Sequence, residues 1–257
     1  MWEIKMNDII SLIIVYTDEE KLDRALMYIS KQDCVEKIQL ILLDNRNKVY
    51  TNAMSAIRDG IEQAKGDTIV YMHQDMYLTD LSIISSYREF IREQPNSIVG
   101  VAGIRTGMSG TYTDIVETER KEQRGQRLFG KTVEAETLDE CFFAASKSLF
   151  LRLNCDERTC YNWHMYAVDF CYQNILMGNK NYILPAKVWH CHHANSQSKE
   201  FWRSLKNIVL KYQNTSIKDI NTTCIEMKNS ILVFYWLQLK QRIRVFIKNI
   251  AKINESN

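Results

Sequence analysis

Four apolar runs, each followed by an amphipathic stretch of helical period, constrain this chain more than any other feature. "IISLIIVY" (9–16) is continuously apolar, as in a strand buried on both faces. It precedes Leu22, Ala25, Leu26 and Ile29 at helical spacing, while Thr17 and Glu20 have the spacing of a capping box. "IQLILLDN" (38–45) is followed by Ala53, Ile57, Ile61 and Ala64 on one helix face, and Gly66 and Asp67 interrupt that pattern before "TIVYM" (68–72). A helix through Leu81, Ile84, Arg88 and Ile91, closed by Pro95, leads to "SIVGVAGI" (97–104). This alternation predicts βα units and a mostly parallel sheet flanked by helices. At 257 residues and 46% hydrophobic composition, one main domain suffices to bury such a core.

Past residue 104 the rhythm changes. The charged stretch 111–138 reads as a hairpin or loop, "ECFFAAS" (140–146) as a buried strand, 168–177 as a helix ending at Gly178, and "NYILPAKVWH" (181–190) as a last strand. We therefore expect a domain over 1–200 and a C-terminal helical extension over 201–257. A net charge of +2 gives no nucleic-acid footprint. The seven cysteines are odd in number and scattered in apolar stretches, which predicts reduced core thiols and a cytoplasmic setting. No signal peptide or spanning helix is expected.

In open α/β sheets ligands bind beyond the carboxyl ends of the strands. Asp44 ends the second strand, and "VYMHQDMYL" (70–78) delivers His73, Gln74 and Asp75 to the end of the third. Neither a G-x-G-x-x-G nor a P-loop motif is present, so phosphates must be held otherwise. A carboxylate ~5 Å from a phosphate charge repels it by about 3 kcal/mol at an effective dielectric near 20, so an acid there calls for a divalent cation. Helix N-capping accounts for Asp75 or Asp80 equally well on spacing alone.

"LLDN", "AKGDTIVYMHQDMYL" and "WHMYAVDFCYQNILMGNKNYILPAKVWHCHH", in that order, resemble family 2 glycosyltransferases of the GT-A fold. The resemblance spans residues 8 to about 198. It implies Thr17, Asp18, Asp44 and His73 around the nucleotide, and Asp75 with His190, His192 as second choice, around Mn²⁺ or Mg²⁺. Asp139 is implied at the sugar or acceptor, and Asp169 as the base; Trp163, His164 and Tyr166, just before Asp169, could stack a sugar ring, and core or loop packing accounts for them equally well. His73 departs from the acid usual at the first position of that metal motif. The implied reaction is inverting transfer from a nucleotide-diphosphate sugar, a UDP-sugar favoured. The implied acceptor is a saccharide or lipid-linked saccharide in bacterial surface-polysaccharide synthesis. A base near a helix start would be kept ionised by the dipole, worth about 0.3–1 kcal/mol, though an N-cap without catalytic duty fits that position as well.

Other signals are weaker. "WHCHH" (189–193) with Cys160 and His164 lacks the paired spacing of a structural zinc site. The C-terminal stripe Tyr235, Leu239, Ile243, Phe246, Ile250 and Ile253, interspersed with Lys240, Arg242, Arg244, Lys248 and Lys252, fits a helix at a membrane surface or one docked on protein. Two rivals stand beside the transferase: a sugar nucleotidyltransferase, which would need a Gly-rich loop after the first strand, and a non-catalytic binding or assembly subunit.

Overall fold

A computed structural model describes residues 8–117, 120–123, 125–191 and 198–255, with side chains as far as 244. The βα repeats fold as expected. Strands β1 (Ile10–Tyr16), β2 (Ile38–Asp44) and β3 (Thr68–His73) pair in parallel, with β1 in the middle. Helices α1 (Glu19–Ile29), α2 (Ala53–Gln63) and α3 (Ile83–Glu93) connect or cover them. The continuous apolar character of β1 has its cause here: Ile13 and Val15 enter the core on one face of the sheet, and Ile10, Leu12 and Ile14 the core on the other.

The second half completes a mixed sheet. Strands β4 (Met76–Leu78), β5 (Ile98–Gly100), β6 (Ala102–Arg105) and β7 (Thr111–Thr113) come next, followed by the short β8 (Val116–Glu117) and β9 (Glu122–Gln123). Then come β10 (Val133–Leu138), β11 (Phe142–Ser146), β12 (Asn181–Ile183) and β13 (Val188–His190). The large sheet has the order β2-β1-β3-β11-β5-β12-β10-β6-β7, in which β11, β10 and β7 oppose the other six strands. A smaller sheet has the order β4-β13-β8-β9.

Two expectations are corrected and a third is filled in. The single strand over 97–104 divides at Val101 into β5 and β6, which have different neighbours. A Cβ on Gly103 would lie 2.2 Å from the Thr137 carbonyl oxygen, so only glycine lets β6 approach β10 this closely. The segment read as a charged hairpin or loop holds a hairpin of β8 with β9, between β7 and β10. The strand over 181–190 is two strands in two sheets, separated around Pro185, which cannot donate to a ladder.

Helices α4 (Lys147–Phe150), α5 (Tyr166–Leu176) and α6 (Lys199–Tyr212) follow. Phe201, Leu205, Ile208 and Val209 of α6 belong to the same core as Ile57 and Phe170, so the chain remains one packed body past residue 200. A hairpin of β14 (Asp219–Asn221) and β15 (Glu226–Lys228) leads to α7 (Ile231–Glu255), the element with the most exposed apolar side chains. Among the described residues, no helix is long and apolar enough to cross a membrane.

Candidate active site

Parallel pairing sets the strand ends level. Tyr16 pairs with Asp44 and Val15 with His73, so the chain leaves β1, β2 and β3 along one edge. Gln74 ties two of those exits together. Its Oε1 accepts hydrogen bonds from the backbone N–H groups of Thr17 and Asp18, both at 2.9 Å, and its Nε2 donates to the Thr17 hydroxyl at 3.1 Å. The expected Thr17–Glu20 capping box does not form: Asp18 is the N-cap of α1, accepting from Lys21 N at 3.2 Å, and its own N–H goes to Gln74. Asp44 also sits at this edge. It accepts from Arg46 Nε at 3.0 Å and Nη2 at 2.6 Å, and these bonds hold its carboxyl down at about 2. Arg46 reaches on to Glu19.

The smaller sheet brings a distant histidine to this edge. Strand β13 runs antiparallel to β4 with His190 opposite Met76, and Cys191 N donates to the Asp75 carbonyl at 3.1 Å. As a result, one ligand atom from each of His73, Asp75 and His190 lies within 4.8 Å of the others. Asp75 Oδ1 is 3.5 Å from His190 Nε2, and Lys21 Nζ is 3.8 Å from Asp75 Oδ2. Both Asp75 and His190 are 8% exposed. Two imidazoles and a carboxylate converging in a mostly buried spot form a donor set suited to a divalent transition metal, so the residues present fit such an ion. The N-cap alternative for Asp75 does not hold: α3 begins at Ile83, and Ser82 N bonds to Asp80 instead.

His73 is held from behind. Its Nε2 is 2.7 Å from the Tyr166 hydroxyl, which in turn lies 3.3 Å from the Glu140 carbonyl oxygen. With the phenol hydrogen given to that carbonyl, Nε2 carries the imidazole proton and Nδ1 keeps its lone pair, the form a metal ligand needs. Tyr166 opens α5 directly after Met165, whose backbone is left-handed at φ 70°. Glu140 Oε1 accepts from Tyr166 N at 3.0 Å. Burial, and then the charge of Asp139, push the Glu140 carboxyl well above the usual carboxylate range.

The remaining sequence candidates are placed as follows. Asp139 turns inward: Oδ1 accepts from Cys141 N at 3.0 Å and Oδ2 from the Thr223 hydroxyl at 2.7 Å. Burial opposes its ionisation, but the Thr223 bond, the nearby His190 and the Cys141 bonds hold its carboxyl below the usual value. Trp163 is half-buried against the core, and His164 lies edge-on to Phe201 with Nε2 3.3 Å from the Ser198 hydroxyl. Packing against the core and α6 occupies both, and neither is brought to the metal cluster. His192 lies outside the described residues.

Asp169, expected as the base, lies at the α5–α6 interface. It is 0% exposed, with Lys211 Nζ 2.8 Å from Oδ1, the Tyr212 hydroxyl 2.7 Å from Oδ1 and Gln173 Nε2 2.8 Å from Oδ2. Burial raises its carboxyl above the usual range, against the pull of Lys211. A helix start favours an ionised acid but does not fix which way the side chain points, and here it points into the α5–α6 interface. Lys211 also contacts Asp156 at 3.0 Å. Gln74, Glu140 and Lys211 contact these side chains or the backbone around them and were not singled out in the sequence, whereas Tyr166 was read there as a possible sugar-stacking ring and is found bonded to His73. Gln74 sits inside the H-Q-D motif, Glu140 directly follows Asp139, and no local signal marks Lys211.

A separate cleft of about 510 Å³ is lined by Asp114, Lys121, Arg127, Lys187 and Trp189. Val188 and Trp189 of β13 both line it.

Residues 11–213 match the model of a glycosyltransferase-like family. The chain belongs to that family. Its resemblance to family 2 enzymes and its GT-A fold are thus established from sequence and architecture together. Among solved structures, this glycosyltransferase-like chain is similar to GalNAc-T7, crystallised with UDP, GalNAc and Mn²⁺. The TM-score is 0.59 at 11% identity, covering 80% of this chain and 48% of that one, so the chain spans about half the length of that enzyme. Among curated proteins it is 22% identical over 218 residues to "ATP synthase subunits region ORF 6" of Fuscovulum blasticum, covering 79% of this chain and 83% of that protein.

Proposed function

We propose that this glycosyltransferase-like protein transfers a sugar from a nucleotide-diphosphate donor to a saccharide hydroxyl with inversion. The observation that carries the reading is the convergence of His73, Asp75 and His190 at the edge where Thr17, Asp18 and Asp44 also lie. GalNAc-T7, with its UDP, GalNAc and Mn²⁺, supports a UDP-sugar as the donor class. Imidazole nitrogens suit transition metals better than Mg²⁺, so the donor set favours Mn²⁺. When bound, the cation supplies charge neutralisation for the leaving diphosphate.

The chain's own residues supply the rest. Gln74 fixes the Thr17–Asp18 turn against β3 and so shapes the nucleotide edge. Tyr166 holds His73 in its ligand tautomer. For the base we favour Glu140 over Asp169, because the residue is partly exposed and its carboxyl sits at the start of α5 beside Tyr166, raised by burial above the usual carboxylate range. Asp139, bonded to Thr223, orients the loop that carries Glu140. Trp163 and His164, on the α6 side, remain an acceptor-side proposal. The setting we propose is bacterial surface-polysaccharide synthesis, with a lipid-linked saccharide acceptor and a peripheral position at the inner face of the membrane. His73 in place of an acid would favour a non-catalytic subunit, but His190 restores a third ligand and keeps the site metal-competent.

A panel of nucleotide sugars, assayed for nucleotide release with Mn²⁺, Mg²⁺ and chelator, tests this reading. We expect turnover of a UDP-sugar with Mn²⁺, loss with chelator, and loss in Asp75→Asn together with at least ~10-fold weaker Mn²⁺ binding by calorimetry. Donor-induced stabilisation without turnover of any nucleotide sugar would overturn the enzyme and leave a binding module.

A further inference from the structure

The last helix presents two different faces. Phe234 of α7 is 1% exposed and lies edge-on to Trp202, with Val233 and Leu237 packed on the same core. That face docks the helix on the domain. The larger apolar side chains point elsewhere: Leu232, Tyr235, Trp236, Leu239 and Ile243 are 47–77% exposed. At 3.6 residues per turn these five fall within an arc of about 100°, turned away from Phe234. Lys240 and Arg242 lie at the two edges of that arc, and Lys240, Arg242 and Arg244 are all exposed. Lys240 Nζ sits 3.5 Å from the Trp236 ring centre, and Lys206 of α6 lies 5.3 Å from that of Tyr235. Docking on the protein's own surface therefore explains Phe234 and leaves the apolar arc uncovered.

We propose that this arc lies in the plane of an anionic lipid surface, with the apolar side chains in the headgroup–acyl boundary and the flanking cations on lipid phosphates. The occupant follows from charge. Residues 231–255 hold Lys240, Arg242, Arg244, Lys248 and Lys252 against a single acid, Glu255, so a second copy of this helix would bring like charges together. Apolar arc, basic borders and insufficient apolar length to span are together the pattern of an interfacial helix. Tyr235 and Trp236 suit that boundary, each having an apolar ring and a polar edge. This deepens the peripheral-membrane reading given above, and it does not depend on the chemistry at the metal cluster.

Flotation of the full chain with phosphatidylcholine vesicles, with and without phosphatidylglycerol, tests it. Binding is expected to be at least ~10-fold tighter on the anionic vesicles and to weaken with salt. Leu239→Glu should abolish it, and Arg242→Gln should weaken it roughly fivefold, the equivalent of ~1 kcal/mol. Because Leu239 is exposed, Leu239→Glu should keep its melting temperature and its activity on a soluble donor, which separates this proposal from that of the reaction. Equal binding to neutral vesicles, no binding to anionic ones, or binding unchanged in Leu239→Glu would overturn it. So would a concentration-dependent dimer that Leu239→Glu dissociates without any effect on vesicles.

Discussion

Asp169 and Glu140 pose one question at the residue scale: which acid can reach a substrate. The two lie at the same end of the molecule, since Glu140 bonds the first N–H of α5 and Asp169 belongs to the first turn of that helix. Their surroundings divide them. Asp169 is enclosed by Lys211, Tyr212 and Gln173, whereas Glu140 is half-buried with a carboxyl raised by burial. Glu140→Gln should lower kcat by about 10²–10⁴ with little change in donor KM, and should shift stability by less than about 1 kcal/mol. Asp169→Asn should do the reverse, costing about 1–3 kcal/mol in denaturant unfolding because it weakens a buried charged hydrogen-bond set. Steady-state kinetics beside urea melts of both variants distinguish the roles. A rate loss confined to Asp169→Asn would return the base to that position.

Among the elements, the strand–helix cycles were legible because a buried parallel strand and an amphipathic helix leave different periods in the chain. The strand ends were legible for the same reason, and with them Asp44, His73 and Asp75. The breaks were less so. Val101 continues the apolar pattern of its neighbours, and only the sheet shows that β5 and β6 part there. His190 was assigned by resemblance, and what puts it beside Asp75 is the antiparallel pairing of β13 with β4, two three-residue strands whose pairing no local pattern announces. The surroundings of Asp169 were not legible, because a position near a helix start says nothing of the direction of its side chain and its partner Lys211 is 42 residues away. Gly66 gives an element-scale test. A Cβ there would meet the Ile9 carbonyl oxygen at 2.3 Å and Ser11 N at 2.9 Å, where the turn into β3 crosses the start of β1. Gly66→Ala should destabilise by roughly 2–4 kcal/mol in chemical unfolding, since backbone on both sides must move. An unchanged midpoint would mean that this crossing is looser than described.

For the whole molecule, α6 is tied to the rest by charge as well as by its apolar face. Lys211 bonds Asp169 inside and Asp156 at the rim, and with Asp44 these set how the fold responds to acid. Burial opposes ionisation of Asp156, but Thr159 and Lys211 outweigh it and hold its carboxyl at about 2. Asp44 is held at about 2 by Arg46. Both are depressed below the ordinary carboxylate value near 3.9, so each contributes stability that is complete above about pH 4 and is lost as pH falls toward 2. Asp169 has the opposite sign, since its raised carboxyl favours the protonated form in the folded state and partly offsets that loss. Asp156→Asn should flatten the decline of melting temperature between about pH 4 and pH 2. An unaltered acid slope would remove Asp156 from this account.

The bond from Cys191 N to the Asp75 carbonyl has a consequence for biosynthesis. The first three strands can leave the ribosome and pair, setting their carboxyl ends level, while His190 is still untranslated. The His73–Asp75–His190 cluster therefore cannot assemble until a strand whose histidine lies 115 positions downstream of Asp75 has emerged, so a chain cut short before β13 keeps the edge and lacks the complete cluster.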